Sequence, residues 1–406
     1  MGGAWTARPS GRLAFRAPRL PAGLGEALWL FAVMRVGLSL FALFVIAHVA
    51  SVPTSCHFEL ALDHWLTVPP LASSPSEFPL VGVWQRWDAC WYSKIATFGY
   101  EAAEDSASFW PALPAAMHVV AIPLGGDVAL AGLIVAAVSY IVAIVGLYRL
   151  VRMDWDEELA LRTSLFISIA PAALFLFAPF TEAPFLAATV WALYAARQRR
   201  WGIAVLAALV ASLTRTQGVF LALPLAWEAW SAWRESGRRG PLGLPSLGSL
   251  AATAVPVAGF VGFMVATKAW TGRTPLDTQD VWGGRNFHWP WDTAAAALQW
   301  VVEHHDSLEA LNLAMLLLFI ALVLIGIRRL PASYSLLAIP QVALLAIRIQ
   351  PTPLTSTVRY LGVVFPAFVV LAMLLNGRRR EWAWGIASLL AVGALTWMWV
   401  IGDWVA

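Results

Sequence analysis

Charge is scarce in this chain. Only 13% of its 406 residues are Asp, Glu, Lys or Arg, about half of what a soluble domain carries. The formal net charge is a mere +3, and the basic residues fall in short clusters between apolar runs, which excludes a nucleic-acid-binding surface. Cysteine is nearly absent, with two residues, Cys56 and Cys90. A disulfide between them would tie two parts of one polar segment together; two free thiols fit the sequence equally well. The seven histidines are scattered and His304–His305 is an isolated pair, so no metal-ligand spacing is present and no metal is expected. There is no Asn-x-Ser/Thr sequon and no cleavable signal peptide. The basic start (Arg8, Arg12, Arg16, Arg19) runs into a hydrophobic stretch too long for a signal core. No internal repeat of two related halves is visible, which counts against a transporter built by duplication.

What is abundant is apolar surface: 60% hydrophobic residues and 23 Trp, with mean hydropathy +0.69. Repeated long apolar runs define an all-α polytopic membrane protein. The runs predict spans at about 26–50, 127–148, 159–178, 180–197, two half-spans within 201–230, then 248–269, 309–327, 331–348, 359–375 and 382–402. That is about eleven transmembrane helices. Residues 108–124, broken by Pro111 and Pro114, are taken as a surface or re-entrant helix. Arg149/Arg152, Arg197–Arg200, Arg234–Arg239, Arg328/Arg329 and Arg378–Arg380 then all fall on the cytoplasmic side with a basic tail, 1–25. The remainder, 26–406, reads as one transmembrane domain in the cell membrane. Its first outer loop is 51–126, its second large outer loop 270–308, and its active site is expected to face the extracytoplasmic side.

The first outer loop carries the segment around which the chain is organised. In a helix over 84–98, Trp84, Trp87, Asp88, Trp91, Tyr92, Ile95 and Phe98 recur at i, i+3, i+4, i+7, i+8, i+11 and i+14, one amphipathic stripe suited to headgroup depth. Asp88 is the one carboxylate on it. An acid partly desolvated among aromatics at the membrane surface suits a base acting on a lipid-borne substrate; a solvated acid on an interfacial helix is the plainer alternative. Every other polar interruption that is not a basic cluster lies on the same side: Thr181-Glu182, Thr214–Gly218, the 270–308 loop and Ser356–Tyr360. Two of these hold Arg215 and Arg359, placed for a lipid phosphate or for structural ion pairs. Glu182 either meets substrate or caps the helix that Pro184 opens. Arg35, inside the first apolar run, must face other helices or water.

These motifs, in order, resemble the GPI mannosyltransferase 2 (PIG-V) family and its bacterial relatives. Trp87-Asp88-Ala89 matches the family's WDA. Gly99-Tyr100-Glu101 is similar to its GYxxE element, and Phe109-Trp110-Pro111-Ala112-Leu113-Pro114 to its FFPLYP, with Trp110, Ala112 and Leu113 departing from it. Ala170-Pro171 with Phe180-Thr181-Glu182, Thr214-Arg215-Thr216-Gln217-Gly218, and Ser356-Thr357-Val358-Arg359-Tyr360 with Phe365-Pro366 resemble later motifs. The ordered set runs from about residue 26 to 376.

The resemblance implies a GT-C-type fold and an inverting, metal-independent glycosyltransferase. Its donor would be a polyprenyl-phosphate sugar, typically mannose, and its acceptor a membrane-associated glycolipid or glycan. It implies Asp88 as the general base. Arg215, Arg359 and Tyr360 would meet the donor phosphate and lipid, and Trp87, Trp91, Tyr100, Glu101 and Glu182 the substrate. A multi-span transporter or flippase of a lipid-linked or sugar substrate, and a non-catalytic assembly subunit, are the competing readings.

Overall fold

The computed structural model describes residues 21–52, 77–100, 104–237, 245–278 and 287–405. Most of the basic tail, Cys56, Glu101 and the middle of the second outer loop lie outside them. Cys90 is buried on the second helix, so a pairing with Cys56 also falls outside.

Helix α1 is Leu24–His48, and α2 is Asp88–Phe98. The short α3, Ala112–Ala121, precedes the long α4, Val128–Asp154. Then come α5, Glu157–Ile169, the one-turn α6, Leu174–Phe177, and α7, Glu182–Arg197. Helices α8, Trp201–Ser212, and α9, Ala222–Glu235, flank a 3-10 turn at Thr216–Leu221. Next are α10, Leu247–Thr271, α11, Pro275–Thr278, and α12, Pro290–His304. Last are α13, Ser307–Arg329, α14, Ala332–Ala346, α15, Thr357–Leu361, α16, Phe365–Leu374, and α17, Arg378–Ile401. Among the described residues, pairing of the β type is limited to the isolated bridge Phe287–Arg348.

Helix starts follow local chemistry. Asp127 accepts from the Leu130 amide, Asp156 from Leu159, and Asp306 from Leu308 and Glu309, each satisfying amides that a first turn leaves open. Among the described residues, five helices, α1, α4, α10, α13 and α17, are long and apolar enough to cross a bilayer, and the α5–α6 pair, bent by 71° at Pro171, would be a sixth crossing. The other apolar helices are shorter. At 12 residues, α8 is about 18 Å long, against a hydrocarbon core of about 30 Å. The turn between α8 and α9 thus brings its polar residues into the body of the bundle. The chain is a multi-pass helical membrane protein whose crossings include broken and half-length helices.

Two ends can be distinguished. At one, Arg197 pairs with Asp154, Arg199 with Glu235, Arg162 with Glu381, and Arg149 donates to the Ala22 carbonyl. At the other, the turns after α6 and α8 and the segment before α15 converge on the start of α2. Arg35 does face protein: it donates to the Phe177 and Leu80 carbonyls and lies 4.6 Å from the Trp84 ring centroid.

The aromatic stripe differs from the surface helix expected. The helix begins at Asp88, and every residue from Ala89 to Ala96 is buried, with α3 and α4 packed against it. Trp84, Gln85 and Arg86 ahead of it are buried as well. The physical reason is that the polar side chains between the aromatics find partners inside. Ser93 donates to Gln85 at 2.9 Å, Arg86 donates to the Val400 carbonyl at 3.1 Å, and the Lys94 ammonium sits 4.6 Å from the Trp91 ring centroid. A stripe with both flanks satisfied has no face left for the headgroups.

Candidate active site

Asp88 opens α2 because Trp87 breaks the chain direction there, with φ 45° and ψ −112°. Positive φ is a strained setting for a bulky side chain. It is held by the Trp87 indole, which meets Trp399 edge-on at 4.8 Å and Trp404 at 5.6 Å. Trp399 is itself fixed by donating to the Val83 carbonyl at 2.7 Å. The turn that leads into α2 is therefore clamped by Trp399 of α17 and by Trp404 just after it, and the Asp88 carboxylate points into the bundle end with its side chain 21% exposed.

Three further charges connect to it in sequence. Arg359 Nη1 donates to Asp88 Oδ2 at 2.5 Å. Its Nε donates to Glu182 Oε1, and Arg215 Nη1 donates to the same Oε1 at 2.5 Å. The result is a chain of alternating charge, Asp88–Arg359–Glu182–Arg215, running inward from the exposed carboxylate. Glu182 is 1% exposed, and its Oε2 has no hydrogen-bond partner among the described residues. The guanidiniums rest on rings: Arg359 lies 4.5 Å from the Phe180 centroid and Arg215 4.6 Å from that of Tyr360. Such stacking suits arginine over lysine.

Each arginine is set by its backbone. The Arg215 turn is pinned by Trp110, whose Nε1 donates to Thr216 Oγ1 at 3.1 Å, and by the Ala112 amide donating to the Leu213 carbonyl at 2.8 Å. This joins the Phe109–Pro114 motif directly to the Thr214–Gly218 motif. Arg359 rides on α15, which starts at Ser356 in the left-handed region (φ 66°). Ahead of and within α15, Glu309 Oε1 accepts from the Leu354 amide at 2.8 Å and Asn312 Oδ1 from the Val358 amide at 3.0 Å.

The structure thus brings Asp88, Glu182, Arg215, Arg359 and Tyr360 together, with Trp87 at the edge. Glu182 opens α7 but behind the arginines. Trp91 and Tyr100 belong to a neighbouring aromatic cluster. Trp91 stacks on Phe109 at 5.1 Å, and the Tyr100 hydroxyl donates to the Phe109 carbonyl at 2.7 Å. Glu101 lies outside the described residues. Sequence reasoning leaves out three residues that matter here: Glu309, Asn312 and Tyr92. Tyr92 stands one turn on from Asp88, and burial, with the Asp88 charge next, pushes its phenol far above the usual range, so it stays a proton donor. Its place in the aromatic stripe was the available signal. Among the described residues, no three His, Cys, Asp or Glu side chains converge in a metal-binding group.

Comparison with known proteins points the same way. Residues 111–261 match the family described as dolichyl-phosphate-mannose-protein mannosyltransferase, a segment that contains Glu182 and Arg215. A GPI mannosyltransferase 2 from Gibberella zeae is 33% identical over 103 residues, covering 25% of this chain and 24% of that protein. Among solved structures, ArnT from Cupriavidus metallidurans, crystallised with undecaprenyl phosphate, aligns with TM-score 0.50 at 14% identity over 90% of this chain and 63% of that one. These matches span less than two thirds of the relatives' own lengths. The architecture is the GT-C-type fold of ArnT, and within it residues 111–261 are similar to the dolichyl-phosphate-mannose-protein mannosyltransferase family.

Proposed function

We propose that the chain is an inverting membrane glycosyltransferase that moves mannose from a polyprenyl-phosphate-mannose donor to a membrane-associated glycolipid or glycan acceptor on the extracytoplasmic side, without a metal. The observation that carries this reading is the alternating chain Asp88–Arg359–Glu182–Arg215: one partly exposed carboxylate joined to two buried guanidiniums lined by aromatic rings. Guanidiniums are suited to a phosphodiester, the rings to sugar and prenyl faces, and the carboxylate to a hydroxyl proton.

The donor phosphate draws Arg359 away from Asp88. The freed carboxylate takes the proton of the acceptor hydroxyl as its oxygen bonds to the anomeric carbon. The bond from that carbon to the phosphate oxygen breaks, its electron pair staying on the phosphate, which leaves as polyprenyl phosphate beside Arg359 and Arg215. Asp88 then passes its proton to water. Attack opposite the leaving group inverts the anomeric centre. Positioning and electrostatic stabilisation of the departing phosphate supply most of the rate. The gathering of Arg149, Arg162, Arg197 and Arg199 at the opposite end of the bundle supports the assigned sidedness.

The test uses detergent-purified protein, radiolabelled polyprenyl-phosphate mannose and a membrane-lipid extract, with Asp88→Asn alongside and chelator in half the samples. Wild-type transfer that survives chelator and vanishes in a folded Asp88→Asn supports the reading. Equal transfer by both proteins removes Asp88 as the base. A wild-type protein that neither binds nor consumes the donor sinks the glycosyltransferase reading.

A further inference from the structure

Glu182 presents a problem that transfer chemistry alone does not solve. A fully buried carboxylate is costly unless its lone pairs are used. Here both arginines converge on Oε1 while Oε2 has no hydrogen-bond partner among the described residues. Hydrogen bonding is therefore not what the second oxygen supplies. What the group contributes without qualification is one negative charge between two guanidiniums.

The count is simple. Asp88 and Glu182 carry two negative charges and Arg215 and Arg359 two positive ones, so the ion-paired cluster is neutral. The reaction changes the ligand's charge at this point. The donor is a phosphodiester monoanion. The departing prenyl phosphate is a monoester, close to a dianion at neutral pH. Without Glu182 the same cluster would carry one uncompensated guanidinium, would hold the dianionic product more tightly than the monoanionic donor, and turnover would stall on release.

We propose that Glu182 is the charge-matching residue of this site: by cancelling one guanidinium from behind, it makes the cluster discriminate in favour of a phosphodiester monoanion and against a phosphomonoester dianion. It acts through Arg215 and Arg359 and is a positioning residue. The proposal rests on the glycosyltransferase reading and names the ligand charge that the same site selects.

The experiment measures binding of two probes to the full-length protein in detergent at about pH 7.5, where the monoester is mainly dianionic: undecaprenyl phosphate and its methyl phosphodiester. The ratio of the two dissociation constants is the readout. Glu182→Gln is expected to shift that ratio toward the monoester by about tenfold, and the double variant Glu182→Gln/Arg215→Gln to restore it. In the transfer assay, Glu182→Gln lowers kcat with little change in KM for the donor, and added undecaprenyl phosphate inhibits it more strongly than wild type. A general loss of packing would weaken both probes together and leave the ratio unmoved, which overturns the proposal. If Glu182→Gln does not fold, Arg215→Gln tests the same count from the other side. It removes a positive charge and must move the ratio toward the phosphodiester; an unchanged ratio again overturns the proposal. Wild type that binds neither probe would instead strike at the glycosyltransferase reading on which this one stands.

Discussion

One guanidinium, that of Arg359, donates through Nη1 to Asp88 and through Nε to Glu182. The exposed carboxylate and the buried one are therefore coupled through a single planar group. An anion that engages Arg359 must act on both.

This sets the expected behaviour of Asp88→Asn beyond loss of transfer. Removing a positioned general base costs about 10²- to 10⁴-fold in rate. The same change takes away the carboxylate that competes with a phosphate for Arg359 Nη1, so binding of undecaprenyl phosphate should strengthen by several-fold. Isothermal or thermophoretic titration in detergent, at two salt concentrations, measures it. Weaker binding in a folded Asp88→Asn would show that Asp88 does not compete for Arg359.

Arg359→Lys preserves charge but not the fork. An ammonium cannot reach two carboxylates with fixed planar geometry, nor spread over Phe180 and Tyr360, whose ring centroids lie 4.5 and 5.8 Å from the guanidinium carbon. We expect a drop in transfer of one to two orders of magnitude, on the scale of about 1.4 kcal/mol per tenfold, with the fold intact. Arg359→Ala leaves Glu182 half-paired and should lower stability by about 3–5 kcal/mol, seen as a lower melting temperature in detergent. Wild-type rates in Arg359→Lys would show that charge alone suffices.

Gly218 gives a purely steric test of the Arg215 turn. A Cβ there would sit 2.3 Å from the Ala211 carbonyl oxygen and 2.6 Å from the Ser212 Cα, both backbone, so the turn itself must shift. Gly218→Ala should destabilise by about 1–3 kcal/mol and reduce transfer by dislodging Arg215 from Glu182. Gly25→Ala, where a Cβ meets nothing within 4 Å, is the control and should be silent in both readouts. A silent Gly218→Ala would remove the requirement for a fixed turn.

Much of this site is legible from sequence, for a definite reason. In a chain so poor in charge, Asp88, Glu182, Arg215 and Arg359 stand out against apolar surroundings, and their placement between spans puts them at one end. Partner choice is not legible. Asp88 and Arg359 are 271 residues apart and Glu182 and Arg359 177, and no local pattern records that pairing. Span length is only partly legible, because hydropathy does not distinguish a full crossing from the 12-residue α8 or from the α5–α6 pair bent at Pro171. The expected helical period over 84–98 holds only from Asp88 onward, since Trp84 lies in a 3-10 turn and Trp87 precedes the helix with φ 45°, and periodicity reports one face only. The burial of Ser93 and Lys94 on the others depends on α3 and α4, which are set by tertiary packing. Glu309 and Asn312 read as the polar opening turn of a span and give no sign that they hold a distant loop.

That loop yields a last expectation. Asn312 spans two partners, donating from Nδ2 to Glu309 Oε2 at 3.3 Å and accepting the Val358 amide at Oδ1; Glu309 in turn accepts the Leu354 amide. Both side chains are buried, so their hydrogen bonds face little competition from water. Asn312→Leu keeps the volume but orphans the Val358 amide next to Arg359, at a cost of about 1–3 kcal/mol. Since α15 carries the arginine proposed to meet the donor phosphate, the change should raise KM for the donor more than it lowers kcat. Asn312→Asp retains the acceptor for Val358 but sets a second carboxylate against Glu309, and should fold less well than wild type while losing less donor affinity than Asn312→Leu. Hydrogen exchange over 354–360 separates the two effects: Asn312→Leu must speed exchange at Val358 specifically. Unchanged protection there would mean that α15 is held by its packing alone, and that the strap from α13 does not set the position of Arg359.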